Sequence, residues 1–141
     1  MRPMSRERAV EFLTAAARTG SIATVAENGR PHVVPIWYIV EGDEVVFTTW
    51  HTSVKARNLA STGRAAMTID DEDPPFSYLM VEGPVTISDD PAESRRVATL
   101  AGGKYMGEDR AQEFGARNGV AGELVVRLRI EHLIGADEVA G

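Results

Sequence analysis

The chain holds 141 residues, 43% hydrophobic and 26% charged, with no cysteine and 15 basic against 21 acidic side chains for a net charge of −6. That length suits a single domain spanning 1–141 with its own core, and the composition excludes general disorder. The lack of cysteine excludes a disulfide scaffold, thiolate metal sites and a cysteine nucleophile. The acidic balance argues against a broad grip on nucleic acid or an anionic membrane, while leaving room for a local basic pocket.

No stretch reaches the length of a transmembrane helix. Ala9–Thr19 is interrupted by Glu11, Thr14 and Arg18, unlike a secretory apolar core, so a soluble cytoplasmic protein is the expectation. A first helix starts at the N-cap Ser5, carries Val10, Leu13 and Ala17 on one stripe, and stops by Gly20. Ser21–Ala26 reads as a strand, and Asn28-Gly29 marks a hairpin into a long strand over Pro31–Val40. Pro31 and Pro35 lack an amide hydrogen, which puts that strand at an edge or a bulge.

A turn at Glu41–Glu44 leads to a strand over Val45–Trp50. A short helix follows over Ser53–Ser61, capped by Ser53 and ended near Gly63. Arg64–Ile69 is a fourth strand, and Ser77–Ser88 a fifth, bent at Gly83-Pro84. Asp89 or Asp90 caps a helix that runs to about Ala101 and ends at Gly102-Gly103; a further helix covers Asp109–Arg117. Glu123–Ile134 alternates as the last strand. The expected class is mainly β with short helices: about six strands in a small, closed or half-closed antiparallel barrel. No glycine-rich strand–turn–helix occurs, which argues against a Rossmann nucleotide fold.

Two segments point to chemistry. After the strand ending Phe47-Thr48-Thr49, a helix opens with Lys55 and Arg57 in its first turns, where cations oppose the helix dipole. An anion resolves that conflict: free amides, the Thr49 or Ser53 hydroxyl, Lys55, Arg57 and the Asn58 amide could surround a phosphate. A solvated amphipathic helix explains the same residues equally well. In Pro31–Tyr38, Pro35 leaves part of the strand without a ladder partner, so its peptides could face a flat ring system; an ordinary edge strand is the plainer alternative. Trp37 and Tyr38 point to opposite faces, so one can be core while the other lines a pocket.

Other residues carry less. His32, His51 and His132 have no metal spacing, and Asp70–Asp73 lacks the ligand pattern of a calcium loop. No serine stands in a nucleophile-elbow context. Arg127, Arg129 and Glu131 share one strand face, as a salt-bridge row or an anion-binding wall. Gly102–Gly107 reads as an interhelix turn or a mobile flap.

Gly20-Ser21-Ile22-Ala23-Thr24-Val25, Gly29–Trp37, Phe47-Thr48-Thr49, Lys55-Ala56-Arg57-Asn58-Leu59 and Val81-Glu82-Gly83 occur in an order that resembles the pyridoxamine-phosphate-oxidase-like split β-barrel superfamily. The Lys-x-Arg-Asn-Leu pattern looks most like its actinobacterial B group, which uses the deazaflavin coenzyme F-420. The resemblance runs from Arg8 to Ile134. It implies a six-stranded split barrel and a homodimer with cofactor sites at the interface. Lys55, Arg57 and Asn58 would hold the cofactor phosphate, helped by Thr48, Thr49 and Ser53, while Val34, Pro35 and Ile36 would lie against the ring. One lysine and one arginine suit a phosphodiester better than the FMN monoester, whose charge is about −2. Lys104, Arg127 or Arg129 could meet the acidic tail of the coenzyme. Pro31–Val40 has no second arginine, which counts against pyridoxamine-phosphate oxidation itself.

The implied activity is hydride transfer from the reduced deazaflavin to a conjugated, electron-poor small molecule such as an enone, quinone or tetrapyrrole, with no catalytic side chain assigned. The alternatives are an FMN-binding oxidoreductase, or a carrier of flavin, deazaflavin or haem without turnover, for which His132 is a thin axial-ligand argument.

Overall fold

The computed structural model describes all 141 residues. In chain order the elements are β1 (Arg2–Pro3), α1 (Arg6–Thr14), β2 (Gly20–Val25), β3 (Pro31–Ile36), β4 (Ile39–Glu41), β5 (Glu44–Trp50) and α2 (Val54–Thr62). These are followed by β6 (Arg64–Asp71), β7 (Ser77–Ser88), α3 (Pro91–Met106), α4 (Ala111–Asn118), β8 (Glu123–Arg129) and β9 (His132–Asp137). A single turn of 3-10 helix at Glu108–Arg110 joins α3 to α4.

Local chemistry starts and stops these elements. Ser5, Ser53 and Asp90 each accept a backbone N–H at the start of α1, α2 and α3, which satisfies amides that have no partner inside the helix. Gly63 ends α2 in the left-handed region at φ 70°, a conformation that only glycine adopts without strain. Gly29, at φ 87°, turns the β2–β3 hairpin.

All strand pairs are antiparallel, in the order β3-β2-β6-β7-β8-β5-β4, with β9 on β7 and β1 on β9. The expected split barrel is therefore present. Pro31 and Pro35 lie on β3, the edge strand that pairs with β2 alone. The bend expected at Gly83-Pro84 is where β7 changes partners: Tyr78–Glu82 pairs with β9, and Val85–Ser88 with β8. A Cβ on Gly83 would sit 1.8 Å from the Arg129 carbonyl oxygen, so only glycine lets β8 cross there.

Inward residues fill the barrel, among them Ile22, Phe47, Met67, Leu79, Val81, Val126 and Leu128, and Phe12 and Leu13 of α1 join the same cluster. A second, smaller core lies outside the barrel wall. There α3 sets Val97 and Ala101 against the outward Val46 and Val125 of β5 and β8, with Ile39 beside them.

Three expectations change. The strand over Pro31–Val40 is two strands, because Tyr38 leaves the ladder. Its N–H donates to the Tyr105 hydroxyl at 3.3 Å and its carbonyl accepts from Lys104 Nζ at 2.8 Å, so α3 replaces the sister strand. The strand over Glu123–Ile134 also divides: the Ile130 amide turns to the Asp43 carbonyl and the Glu131 amide to that of Glu82. With the two-residue β1, these divisions raise the expected six strands to nine.

Third, Gly102-Gly103 does not end α3, which runs on to Met106 and stops at Gly107. The glycines are packing contacts. A Cβ on Gly102 would lie 2.5 Å from Phe114 Cβ, and one on Gly103 2.6 Å from the Glu108 carboxylate. Their missing side chains let α4 close on α3, so this segment is mostly helix rather than a flap or a turn.

Candidate functional site

A cavity of about 240 Å³ opens where the outer faces of β5 and β8 emerge from under α3. Its floor is the end of β3 and the break after it: Pro35, Ile36 and Trp37. One wall carries Thr48 of β5, Lys55 of α2 and Glu123 of β8. Ala98 and Ala101 of α3 and Asn118 at the end of α4 make the other.

Strand alternation explains the selection. Phe47 and Thr49 face the barrel interior and are buried, so Thr48 between them faces out into the cavity. Trp37 and Tyr38 divide as their neighbouring positions require. Tyr38 is fully buried and its hydroxyl donates to the Leu13 carbonyl at 2.7 Å, whereas Trp37 lines the cavity.

Trp37 is held rigidly. Its ring stacks on Tyr105 with centroids 5.1 Å apart and planes 5° from parallel, and it meets Phe114 edge-on at 5.6 Å. The Tyr105 hydroxyl donates to the Arg18 carbonyl at 2.7 Å, which fixes the stack from behind. Lys104 rests 3.8 Å from the centre of the Tyr38 ring. Burial lowers its ammonium to about 8.

Within the cavity, burial pushes the Lys55 ammonium down, and the nearby Glu123 charge opposes that shift. Burial pushes the Glu123 carboxyl up, while the Thr48 hydroxyl and Lys55 favour its charged form. The polar wall thus holds one cation and one anion, both poorly solvated. Pro35 and Trp37 add apolar surface to the same cavity.

The expected site residues separate into groups. Pro35, Ile36, Thr48 and Lys55 come together around the cavity. Val34 does not line the cavity; it lies on the same inward strand face as Ile36, and both pack on the barrel core. Thr49 and Ser53 bond to each other through their hydroxyls at 2.8 Å, and Ser53 also caps α2. The Asn58 amide donates to the buried Thr24 hydroxyl at 3.0 Å. Asn58 also borders a second cavity of about 390 Å³ with Asn28, Arg30, Pro31, His32 and Val54. His32 Nδ1 is buried there without a hydrogen-bond partner. Arg57 is exposed on α2 and lines neither cavity.

The cations expected to meet an acidic tail are committed elsewhere. Arg127 pairs with Glu41, Glu44 and Glu93, in a network that Arg96 shares. Arg129 pairs with Glu131 at 3.5 Å, and Lys104 donates to Tyr38. The salt-bridge reading of the last strand is therefore the correct one. His132 is exposed beside Glu82 and Glu131. No group of His, Asp or Glu side chains is placed to hold a metal ion, and no helix is long and apolar enough to cross a membrane.

Sequence reasoning missed Glu123, Ala98, Ala101 and Asn118. Glu123 opens an apolar strand and reads as an ordinary boundary charge, because Lys55 becomes its neighbour only when β8 pairs with β5. The helix residues carry no local signal at all.

Comparison with known proteins agrees with the split-barrel fold. A solved structure of an F-420 reductase is 27% identical with a TM-score of 0.70, covering 87% of this chain and 94% of that one. A conserved hypothetical protein from Mycobacterium tuberculosis is 26% identical with a TM-score of 0.84, covering 96% of this chain and 86% of that one. The haem storage protein HutZ from Vibrio cholerae shares the fold at 19% identity and a TM-score of 0.68, covering 92% and 94%. No curated protein sequence is significantly similar. The family model described as pyridoxamine 5'-phosphate oxidase matches residues 5–134, nearly the whole chain, and the chain belongs to that family.

Proposed function

We propose that this chain is an oxidoreductase that binds the deazaflavin coenzyme F-420 in the cavity between β3, β5, β8 and α3. Its acceptor is a conjugated, electron-poor small molecule. The observation that carries this reading is the pairing of an apolar lining, Pro35 and Trp37, with a single half-buried lysine, Lys55, near the start of α2. A relative named as an F-420 reductase supports the choice of cofactor.

When bound, the reduced coenzyme supplies the hydride. The chain's residues bind, orient and exclude water. Trp37 and Pro35 present the surface on which a planar ring lies, and the Tyr105 stack keeps Trp37 from turning away. Lys55 holds the phosphate, aided by the positive end of α2, while the Thr48 hydroxyl steadies the Glu123 carboxylate beside it. Ser53, Thr49 and Asn58 support that wall through their internal bonds. Ala98 and Ala101 form a small, dry wall of α3.

A cavity of about 240 Å³ is smaller than the roughly 300–1,000 Å³ usual for cofactor-sized ligands. A second copy of the chain would complete it. The open face of the sheet supports such a homodimer. Cross-strand register places Pro35, Ser21, Thr68, Met80 and Ile134 in one row over β3, β2, β6, β7 and β9. Val33 and Ile134 are exposed on that face by 64% and 61%. Sedimentation of the purified protein at micromolar concentration is expected to give twice the chain mass.

The cofactor test is fluorescence titration with oxidised F-420 and with FMN side by side, followed by acceptor turnover with the reduced form. Lys55→Ala is expected to weaken F-420 binding by about 10- to 100-fold, the loss of one charge-assisted hydrogen bond. Unchanged affinity in that variant overturns the phosphate site. Preference for FMN moves the protein to flavin chemistry, and binding without turnover makes it a carrier.

A further inference from the structure

Glu123 is the one carboxylate in the wall of the candidate cavity, and it stands beside the lysine that the proposed phosphate site depends on. Its position is built in. β8 begins at Glu123, paired in register with Trp50, the last residue of β5. The chain then needs only the turn 51–53 to bring Lys55 to the same wall. The two charges influence each other without forming a direct ion pair, so each still faces the cavity.

No other cation relieves the carboxylate. Arg127 and Lys104 are spent on Glu41, Glu44, Glu93 and the Tyr38 carbonyl, and Arg57 lies outside the lining. The formal charge at this end of the cavity is therefore zero, one plus and one minus, apart from the partial positive charge at the start of α2. Both side chains are partly buried at the cavity wall, so solvent screens them less than it would on an open surface, and burial pushes each toward its neutral form.

We infer that Glu123 determines which phosphate this cavity takes: beside Lys55 it admits the single charge of a phosphodiester and discriminates against the double charge of a phosphate monoester. The inference rests on the reading that a ring cofactor places its phosphate at Lys55. With Lys55 already balanced by Glu123, a monoanion leaves one uncompensated negative charge beside the start of α2, whose partial positive charge can offset it. The second charge of a monoester has no counter-ion left and meets the carboxylate as well. At an effective dielectric of about 20, one extra charge a few ångströms from a fixed carboxylate weakens binding by roughly tenfold or more. Glu123 is then a specificity-determining residue that favours the deazaflavin coenzyme, a diester, over FMN, a monoester.

The test uses the full-length protein and three ligands that vary the phosphate on one ring: riboflavin with none, FMN with a monoester, and the monomethyl ester of FMN with a diester. Wild type is expected to bind the methyl ester at least tenfold more tightly than FMN, a comparison that needs no variant. Glu123→Gln, and Glu123→Thr as a second replacement, are expected to tighten FMN binding about tenfold and to change riboflavin binding less than threefold. Equal effects on FMN and riboflavin would mean that Glu123 touches the ring, and would overturn the inference. So would a wild type that does not distinguish FMN from its methyl ester. If wild type and variants bind none of the three and no F-420, both this inference and the cofactor reading fail. If F-420 and the flavins bind without regard to phosphate charge, only this inference fails.

Discussion

The bond between Asn58 and Thr24 decides whether the start of α2 is held from inside the protein. Asn58 lies one turn after Lys55, and its side-chain amide donates to the Thr24 hydroxyl at 3.0 Å with both residues buried. Thr24→Val keeps the volume but leaves the amide N–H without an acceptor, which costs about 1–3 kcal/mol. Asn58→Ala loses the same bond and leaves space at a packed site, for about 2–3 kcal/mol. In the double variant the bond is counted once, so the two effects sum to about 1 kcal/mol more than the double loss. Urea unfolding of the four proteins at neutral pH measures this directly, provided that the slopes with denaturant agree. A cycle additive to within about 0.3 kcal/mol would refute the argument and free the Asn58 amide for a ligand.

Two further outcomes follow from charge. Arg8 grips both oxygens of Asp137 at 3.0 Å, and Ser77 donates to it at 2.8 Å; led by the Arg8 hydrogen bond, these hold the carboxyl down at about 2. A lowered carboxyl stabilises the fold above its ordinary value of 3.8, and that contribution is lost as pH falls through about 2. Because Arg8 is about a third exposed, Asp137→Asn should cost about 1–2 kcal/mol at pH 7 and almost nothing at pH 2; a gap that persists in acid urea melts contradicts the clamp. Lys104 runs the other way. Burial lowers its ammonium from 10.5 to about 8, so between those values the unfolded chain binds more protons. Wild type should therefore gain stability relative to Lys104→Met as pH rises from 8 to above 10, and urea midpoints that shift in parallel would refute the buried-charge reading.

Much of the fold was legible because short-range chemistry is written in adjacent residues. Ser5, Ser53 and Asp90 cap helices because a short oxygen-bearing side chain reaches an amide two or three residues on. Gly29 and Gly63 turn the chain where a positive φ is required. The prolines of β3 could stand only at an edge or a bulge, and β3 is an edge. The family resemblance pointed to a phosphate wall and a ring-facing strand; of the residues it named, Pro35, Ile36, Thr48 and Lys55 line one cavity.

What the sequence by itself determined was where elements begin, which way strands alternate, and that one helix starts with a cation beside a hydroxyl-rich strand end. Tertiary structure decided the rest, since it depends on partners far away in the chain. The Gly102-Gly103 pair reads as a stop, yet it is a packing face once Phe114 and Glu108 come against it. Tyr38 leaves its strand only because Lys104 and Tyr105 of α3 take over its backbone groups. Glu123 becomes part of a site only when β8 lies along β5 and brings a half-buried carboxylate near Lys55. Caps and turns act over a few residues, so sequence records them. Packing, desolvation and charge pairing act across space, so they exist only after the chain has folded.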